Sequence, residues 1–370
     1  MKRISHGRRI AAMVAAGALA LTACGNDPVT QSGSGGNDSG SEEQSLAGNL
    51  AGAGASSQEA AMQAWIAGFG AANPDVTVSY DPAGSGAGRT QFGEGAVAFA
   101  GSDAVMDDEE RAAAKERCGG EAIHLPLYIS PIAIIYNLDG VDNLQLAPAT
   151  VAGIFDRKIT KWDDAKIKAD NPDAKLPSTN ITPVNRSDES GTTENFTEYL
   201  SATATAAWPH EPSGEWPLKG GQSAQGTSGV VQTVQGGQGT IGYADASQAG
   251  QLGKAMIKVG DTFVEPSPEA AAKIVDESEK VAGLAANDLA YELKRDTTAE
   301  GTYPIVLVSY EIVCQNYADT AEGDLVKAFV GYIASEEGQQ AAAEAAGSAP
   351  ISDSLRTEVD AAVNAIGAGS

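Results

Sequence analysis

Serine, threonine and glycine recur in this sequence where helices are expected to begin, and such points can hold an anion. The first segment is Gly52-Ala53-Gly54-Ala55-Ser56-Ser57, ahead of a helical stretch over 58–69. The second is Gly84-Ser85-Gly86-Ala87-Gly88, ahead of Arg89 and a short helical turn. The third is Ser190-Gly191-Thr192, ahead of a helical stretch over 193–206. The first turn of a helix carries backbone N–H groups without intrahelical acceptors, and the aligned peptide dipoles add partial positive charge there. Glycine lets a ligand approach the backbone and a hydroxyl adds a donor, so a tetrahedral oxyanion suits such a place. Taken singly, each serine is better explained as an N-cap. The case for a site rests on three such starts, each following an expected strand.

Two charged residues narrow the chemistry. Arg186 precedes Ser190 by four residues in Asn185-Arg186-Ser187-Asp188-Glu189-Ser190-Gly191-Thr192. Its planar guanidinium can give an oxyanion two parallel hydrogen bonds, and Asp188 is placed to orient it. Asp103, in Ala100-Gly101-Ser102-Asp103-Ala104, follows an apolar run and precedes a helix. It reads either as another N-cap or as an acceptor inside the site. A carboxylate repels a bound oxyanion unless that ligand brings a proton to donate. Such an acceptor therefore favours phosphate, protonated at neutral pH, over sulfate, which is not. Arg89 reads equally as a neutralising cation or as an exposed helix-start residue.

These residues need elements to carry them. Val76, Val78 and Tyr80 alternate with polar neighbours as in a half-buried strand. Residues 129–136 and 305–308 are nearly continuous apolar strands, with Ile312 and Val313 following the second. Helical patterning covers 58–69, 107–117, 193–206, 266–285, 321–334 and 335–346, while 171–173 and 208–221 read as loops. Strands alternating with helices predict an α/β fold with helices on both faces of a sheet.

The ends and the composition set the setting. Lys2, Arg3, Arg8 and Arg9 form a basic start, and 10–23 run apolar and small, too short to span a bilayer. The run stops at Leu21-Thr22-Ala23-Cys24, which resembles a bacterial lipobox with Cys24 as the lipidated first residue of the mature chain. The competing reading is an ordinary export signal with a chance cysteine; Arg8-Arg9 fits twin-arginine export poorly. Residues 24–45 are mostly glycine and polar, a flexible tether. Roughly 325 residues remain, enough for two ordinary domains. The net charge is −25, and removal of residues 1–23, with four Lys/Arg and no acid, takes it to −29. That surface argues against nucleic acid or an anionic membrane face as partner. It does not exclude an anion ligand, because salt screens exposed charge beyond about 10 Å. With Cys24 lipidated, Cys118 and Cys314 remain, either bridged or as two buried thiols.

At these residues the sequence resembles the periplasmic phosphate-binding proteins of the phosphate ABC transporter, the PstS family. The resemblance runs over about 46–355 and is carried by Gly52 through Ser56, Gly84-Ser85-Gly86, Gly101 through Ala104, Lys161-Trp162-Asp163-Asp164, Arg186 through Thr192, and Gly239-Thr240-Ile241-Gly242-Tyr243. It implies a two-lobed periplasmic binding protein fold, each lobe a mixed sheet flanked by helices. Lobe 1 would be 46–128 and 303–370 and lobe 2 would be 129–302, with a two-segment hinge near 127–131 and 299–304. Phosphate would bind between the lobes to Ser56, Ser57, Ser85, Asp103, Arg186, Ser190, Gly191 and Thr192, with Asp188 holding Arg186. Ser56-Ser57 departs from the Thr-Phe of many members, which leaves Ser57 the least secured contact. The family's fold would put Cys118 and Cys314 in one lobe, which favours a bridge. A monomeric, non-enzymatic lipoprotein on the outer face of the membrane follows, without cofactor or metal, delivering phosphate to permease subunits. Against it stands an exported hydrolase. Only His124 and His210 survive signal removal as bases, no Gly-x-Ser-x-Gly elbow surrounds these serines, and Gly221 through Thr227 copies phosphate-loop spacing without its lysine. A binder of sulfate or molybdate is the nearer alternative, and Asp103 speaks against it.

Overall fold

The computed structural model describes residues 46–367. Cys24, the signal segment 1–23 and the whole of the tether 24–45 lie outside the described residues. In chain order the elements are β1 (Gly48–Gly54), α1 (Glu59–Ala72), β2 (Val76–Asp81), α2 (Ser85–Gly93), β3 (Phe99–Ser102), α3 (Asp108–Cys118), β4 (Ala122–Asn137), β5 (Gln145–Leu146), α4 (Pro148–Phe155), α5 (Ala165–Asp170), β6 (Thr182–Arg186) and α6 (Gly191–Thr203). There follow β7 (Gln222–Ala224), α7 (Gly226–Gln235), β8 (Thr240–Asp245), β9 (Gly253–Lys254), β10 (Met256–Val259), β11 (Thr262–Val264), α8 (Pro268–Glu277), β12 (Glu279–Lys280), β13 (Tyr291–Glu292), β14 (Val306–Cys314), α9 (Thr320–Ala334), α10 (Glu336–Ala346) and α11 (Asp353–Asn364).

One nine-stranded sheet runs through the described chain in the order β2-β1-β3-β14-β4-β8-β6-β7, with β9 beside β4. Its spine is β4, whose sequence Ala-Ile-His-Leu-Pro-Leu-Tyr-Ile-Ser-Pro-Ile-Ala-Ile-Ile-Tyr-Asn is buried at every position but the last. Apolar residues on both faces are what a strand covered on both sides requires. The strand begins seven residues before the expected 129–136. Pro126 and Pro131, which have no N–H to give a ladder, fall where its pairing changes. A register shift with β14 occurs beside Pro126, and after Pro131 the partner becomes β8.

The side chains form two large cores on either side of that exchange. One joins Leu50, Trp65, Phe99, Leu125 and Tyr128 with Val313, Phe329 and Val330. The other joins Ile132, Ile134, Phe155, Trp162, Phe196 and Leu200 with Ile241 and Tyr243. Ala271, Ile274 and Leu289 lie in the first core although their segment follows the second in sequence.

Helix starts are locally encoded. At α3, Asp107 accepts from Glu110 N–H while the Glu110 carboxylate accepts from Asp107 N–H, a reciprocal cap. The helix expected over 266–285 is shorter. It ends at Glu277, because Ser278 turns extended and its hydroxyl binds the Ile274 carbonyl. Glu279 and Lys280 then pair with Glu292 and Tyr291. Cys118 at the end of α3 and Cys314 at the end of β14 are joined as a disulfide with Cα atoms 5.3 Å apart, so the pair is bridged rather than two free thiols.

Candidate functional site

The starts of α1, α2 and α6 meet around Asp103, which directly follows β3, and the start of α7 adjoins them through Ser56 and Asp188. Parallel pairing of β1 with β2 and β3 puts the carboxyl ends of these strands on one edge, where open α/β sheets present ligand sites. From that edge Ser57 Oγ donates to both Asp103 carboxylate oxygens, at 2.6 and 2.8 Å. Ser309 Oγ of β14 donates to Oδ1 at 2.7 Å. From α6, Thr192 Oγ1 donates to Oδ2 at 3.0 Å. Ser85 Oγ accepts from the Asp103 N–H at 3.2 Å. Asp103 is 3% exposed. Burial pushes its carboxyl above the usual range, and the hydroxyls of Ser57, Ser309 and Thr192, then Arg186, pull it back.

Gly191 shows why this convergence needs glycine. A Cβ there would stand 2.7 Å from Asp103 Cβ and 2.8 Å from Ser85 Oγ, so any side chain would drive α6 from Asp103. Gly84 is constrained by backbone as well as space. Its φ of +108° suits glycine, and a Cβ would come within 2.8 Å of Asp188 Oδ2.

Arg186 is buried at the end of β6 and pairs with Asp188 through Nε at 2.8 Å and Nη2 at 2.5 Å, leaving Nη1 outside that fork. Burial alone would raise the Asp188 carboxyl. The hydrogen bonds and charge of Arg186 outweigh it and hold the group below its ordinary value. Asp188 Oδ1 also accepts from Gly226 N–H at 3.1 Å, tying the clamp to the start of α7.

The N-cap alternative is now decided serine by serine. Ser190 does cap α6, accepting from Thr193 N–H at 3.3 Å. Ser56 and Ser85 do not cap the helices they precede or begin: the capping positions there are Gln58 and Gly84. Ser56 Oγ instead meets Thr227 Oγ1 at 3.1 Å and accepts from Thr227 N–H at 3.0 Å. Arg89 is not an exposed helix-start residue. It is 5% exposed, and its guanidinium nitrogens bind Glu110 at 2.7 Å, Ser102 at 3.0 Å and Glu189 at 3.1 Å. With its charge answered by two carboxylates it is a poor free cation for an anion.

Sequence reasoning passed over Ser309, Gln58, Thr227 and Gln248. Thr227 had one signal, the glycine-rich run from Gly221 through Thr227, which starts a helix at the site without any lysine. Gln248 binds the Ser56 and Ser57 carbonyls at 2.8 and 3.2 Å. The hydrolase reading finds no support in the histidines. His124 sits between Asp288 at 2.7 Å and Met106 N–H at 3.1 Å, and His210 pairs with Asp156 at 2.8 Å; among the described residues neither ring bonds a serine.

This arrangement, helix starts gathered at a strand edge around a buried acid and a clamped arginine, defines an α/β solute-binding protein. Residues 39–337 match the PBP superfamily domain. The chain is 37% identical over 364 residues to the phosphate-binding protein PstS3 of Mycobacterium bovis, covering 96% of this chain and 97% of that one. It is also 37% identical to the phosphate-binding protein PstS 2 of Mycobacterium tuberculosis, with the same coverage. The fold resembles a high affinity periplasmic phosphate-binding protein bound with phosphate, at TM-score 0.69 and 22% identity over 85% of this chain and 93% of that one. A phosphate ABC transporter substrate-binding protein from Clostridium perfringens matches at TM-score 0.58 and 20% identity, over 81% and 98%. The chain belongs to the PstS family of phosphate-binding proteins, within the PBP superfamily.

Proposed function

We propose that this chain captures inorganic phosphate between two lobes outside the cytoplasm and hands it to an ABC importer, without catalysing a reaction. The observation that carries the reading is Asp103. It is a buried carboxylate at the meeting of three helix starts, accepting from three hydroxyls, with the Arg186 fork beside it. A carboxylate offers about four acceptor positions, so one remains for a proton brought by the ligand. Phosphate brings that proton at neutral pH and sulfate does not. Ser56, Ser57, Ser85, Asp103, Arg186, Ser190, Gly191 and Thr192 are the proposed contacts, with Asp188 fixing Arg186. Ser57 spends its hydroxyl on Asp103, so its contact with phosphate would come from its backbone N–H.

The proposed lobes are 46–128 with 303–370, and 129–302, moving about the point where β4 exchanges β14 for β8. Ala271, Ile274 and Leu289 would travel with the first lobe, whose core they share. Export and anchoring through lipid on Cys24 complete the reading; among the described residues no helix is long and apolar enough to cross a membrane. Calorimetry on the mature chain tests the central claim. Phosphate should bind one to one and excess sulfate should give no heat; a chain silent to phosphate refutes the proposal.

A further inference from the structure

Behind Asp103 lies a second acid. Glu311 is on β14, two residues beyond Ser309, and is 1% exposed. Neither of its carboxyl oxygens has a hydrogen-bond partner among the described residues. It pairs across the sheet with Gly101 of β3 and Leu125 of β4. A Cβ on Gly101 would stand 2.3 Å from the Tyr80 hydroxyl and 3.1 Å from the Gln58 amide. Opposed residues of neighbouring strands share a face, so Glu311 projects toward Gln58 and Tyr80. Gln58 in turn gives Nε2–H to Ser309 Oγ at 2.6 Å, and Ser309 gives its proton to Asp103 at 2.7 Å. The Oε1 of Gln58 is buried without a donor.

The unmatched groups are complementary in one protonation state. An ionised Glu311 would be a buried charge facing the Asp103 carboxylate, with no hydrogen-bond partner among the described residues. A neutral Glu311 has one O–H to give, and the nearby orphan on its face is an acceptor, Gln58 Oε1. The Tyr80 hydroxyl is already spent on the Ala55 carbonyl at 3.0 Å. Burial first, and the charge of Asp103 second, push the Glu311 carboxyl well above its ordinary range.

We infer that Glu311 is a neutral acid buried behind the proposed phosphate site, so that Asp103 is the single protein carboxylate presented to the ligand. This rests on the reading of Asp103 as the acceptor of the ligand's proton. Its consequence is an alkaline limit on capture. When Glu311 loses its proton, a second negative charge stands behind Asp103 and beside a dianionic ligand. Asp103 and Tyr80 are the titratable groups facing Glu311, and the Tyr80 phenol is itself pushed up by burial and then by Glu311.

The experiment is phosphate titration of the mature chain from neutral pH into the alkaline range, for the wild type, Glu311→Gln and Asp103→Asn. Wild-type affinity should fall by roughly tenfold per pH unit once Glu311 ionises. Glu311→Gln should bind within about threefold of wild type at pH 7, being equal in shape and charge to the neutral acid, and should lose that alkaline fall. An unchanged alkaline fall in Glu311→Gln, or a large loss at pH 7, overturns the inference. Infrared spectroscopy of the wild type gives a readout independent of the variant's folding: absence of a protonated-carboxyl band at neutral pH also overturns it. If Asp103→Asn binds phosphate unchanged, the site reading itself fails. If Asp103→Asn weakens binding while Glu311→Gln keeps the alkaline fall, only the Glu311 inference fails.

Discussion

Asp103 has a different standing from the serines around it. Its neighbours give it hydrogen bonds, and in the proposed site it would give the ligand an acceptor, so its removal should act on selectivity as well as affinity. Asp103→Asn replaces one acceptor oxygen with a donor. Phosphate binding should weaken by about 1.5–3 kcal/mol, the range for hydrogen bonds involving a charged group, and sulfate should begin to compete. Competition calorimetry measures both, and intact discrimination against sulfate would remove Asp103 from the specificity argument. Glu194, in the first turn of α6, makes a pH prediction. Burial is the main cause that raises its carboxyl to about 7, with Arg89 opposing and Glu198 adding to the shift. The folded state thus takes up a proton that the unfolded chain has lost, so the group's stabilising contribution is present in acid and disappears as pH rises to about 7. Glu194→Gln should therefore stabilise the fold by about 1–3 kcal/mol at pH 8 and change little at pH 4. Urea unfolding at the two pH values decides this, and equal effects at both would contradict it.

At the scale of elements, the disulfide fastens the end of α3 to the end of β14 across 196 residues of sequence. Closing so long a loop in the unfolded chain corresponds to about 5 kcal/mol in the chain-entropy treatment, and native bridges are commonly worth about 2–5 kcal/mol. Arg117 packs over Phe92 and Tyr317 beside it, so the bridge closes a compact corner away from Asp103. Cys118→Ala with Cys314→Ala should lower stability by an amount in that range and leave phosphate affinity within about twofold. Denaturant melts and calorimetry on the same sample separate the two effects. Element starts were readable where their caps are local, as at Asp107 and Glu110 of α3 or Ser190 of α6. The end of α8 was not, because the chain leaves the helix at Ser278 so that Glu279 and Lys280 can pair with Glu292 and Tyr291 beyond a loop.

The whole molecule carries a net charge of −25 over its full sequence, yet its proposed ligand is an anion. The field of the acidic surface acts on the approach, and the local donors act on the bound state. Added salt should therefore raise the association rate severalfold, by screening repulsion, and change the dissociation rate less. Stopped-flow mixing at several ionic strengths reads both rates, and an association rate that falls with salt would show that local positive potential dominates the approach instead. Contacts of Ser56 with Thr227, Thr192 with Asp103 and Arg89 with Glu189 tie the faces on which the proposed site lies.

The sequence alone determined the starts of α1, α3 and α6 to within two residues, the Arg186–Asp188 pair, the α/β class and the idea of a ligand that brings a proton. Each of these depends on residues a few positions apart, where capping, side-chain reach and hydrophobic period operate. Only the tertiary structure decided which serines cap and which bridge, that Arg89 is spent on Glu110 and Glu189, and that Asp103 is served by Ser309 from 206 residues away. It also brought Thr227 to Ser56 across 171 residues and placed Glu311 behind the site. The Ser309 and Glu311 relations come from β14 returning to lie between β3 and β4, a pairing set by burial of whole strands, which no local spacing in the chain records.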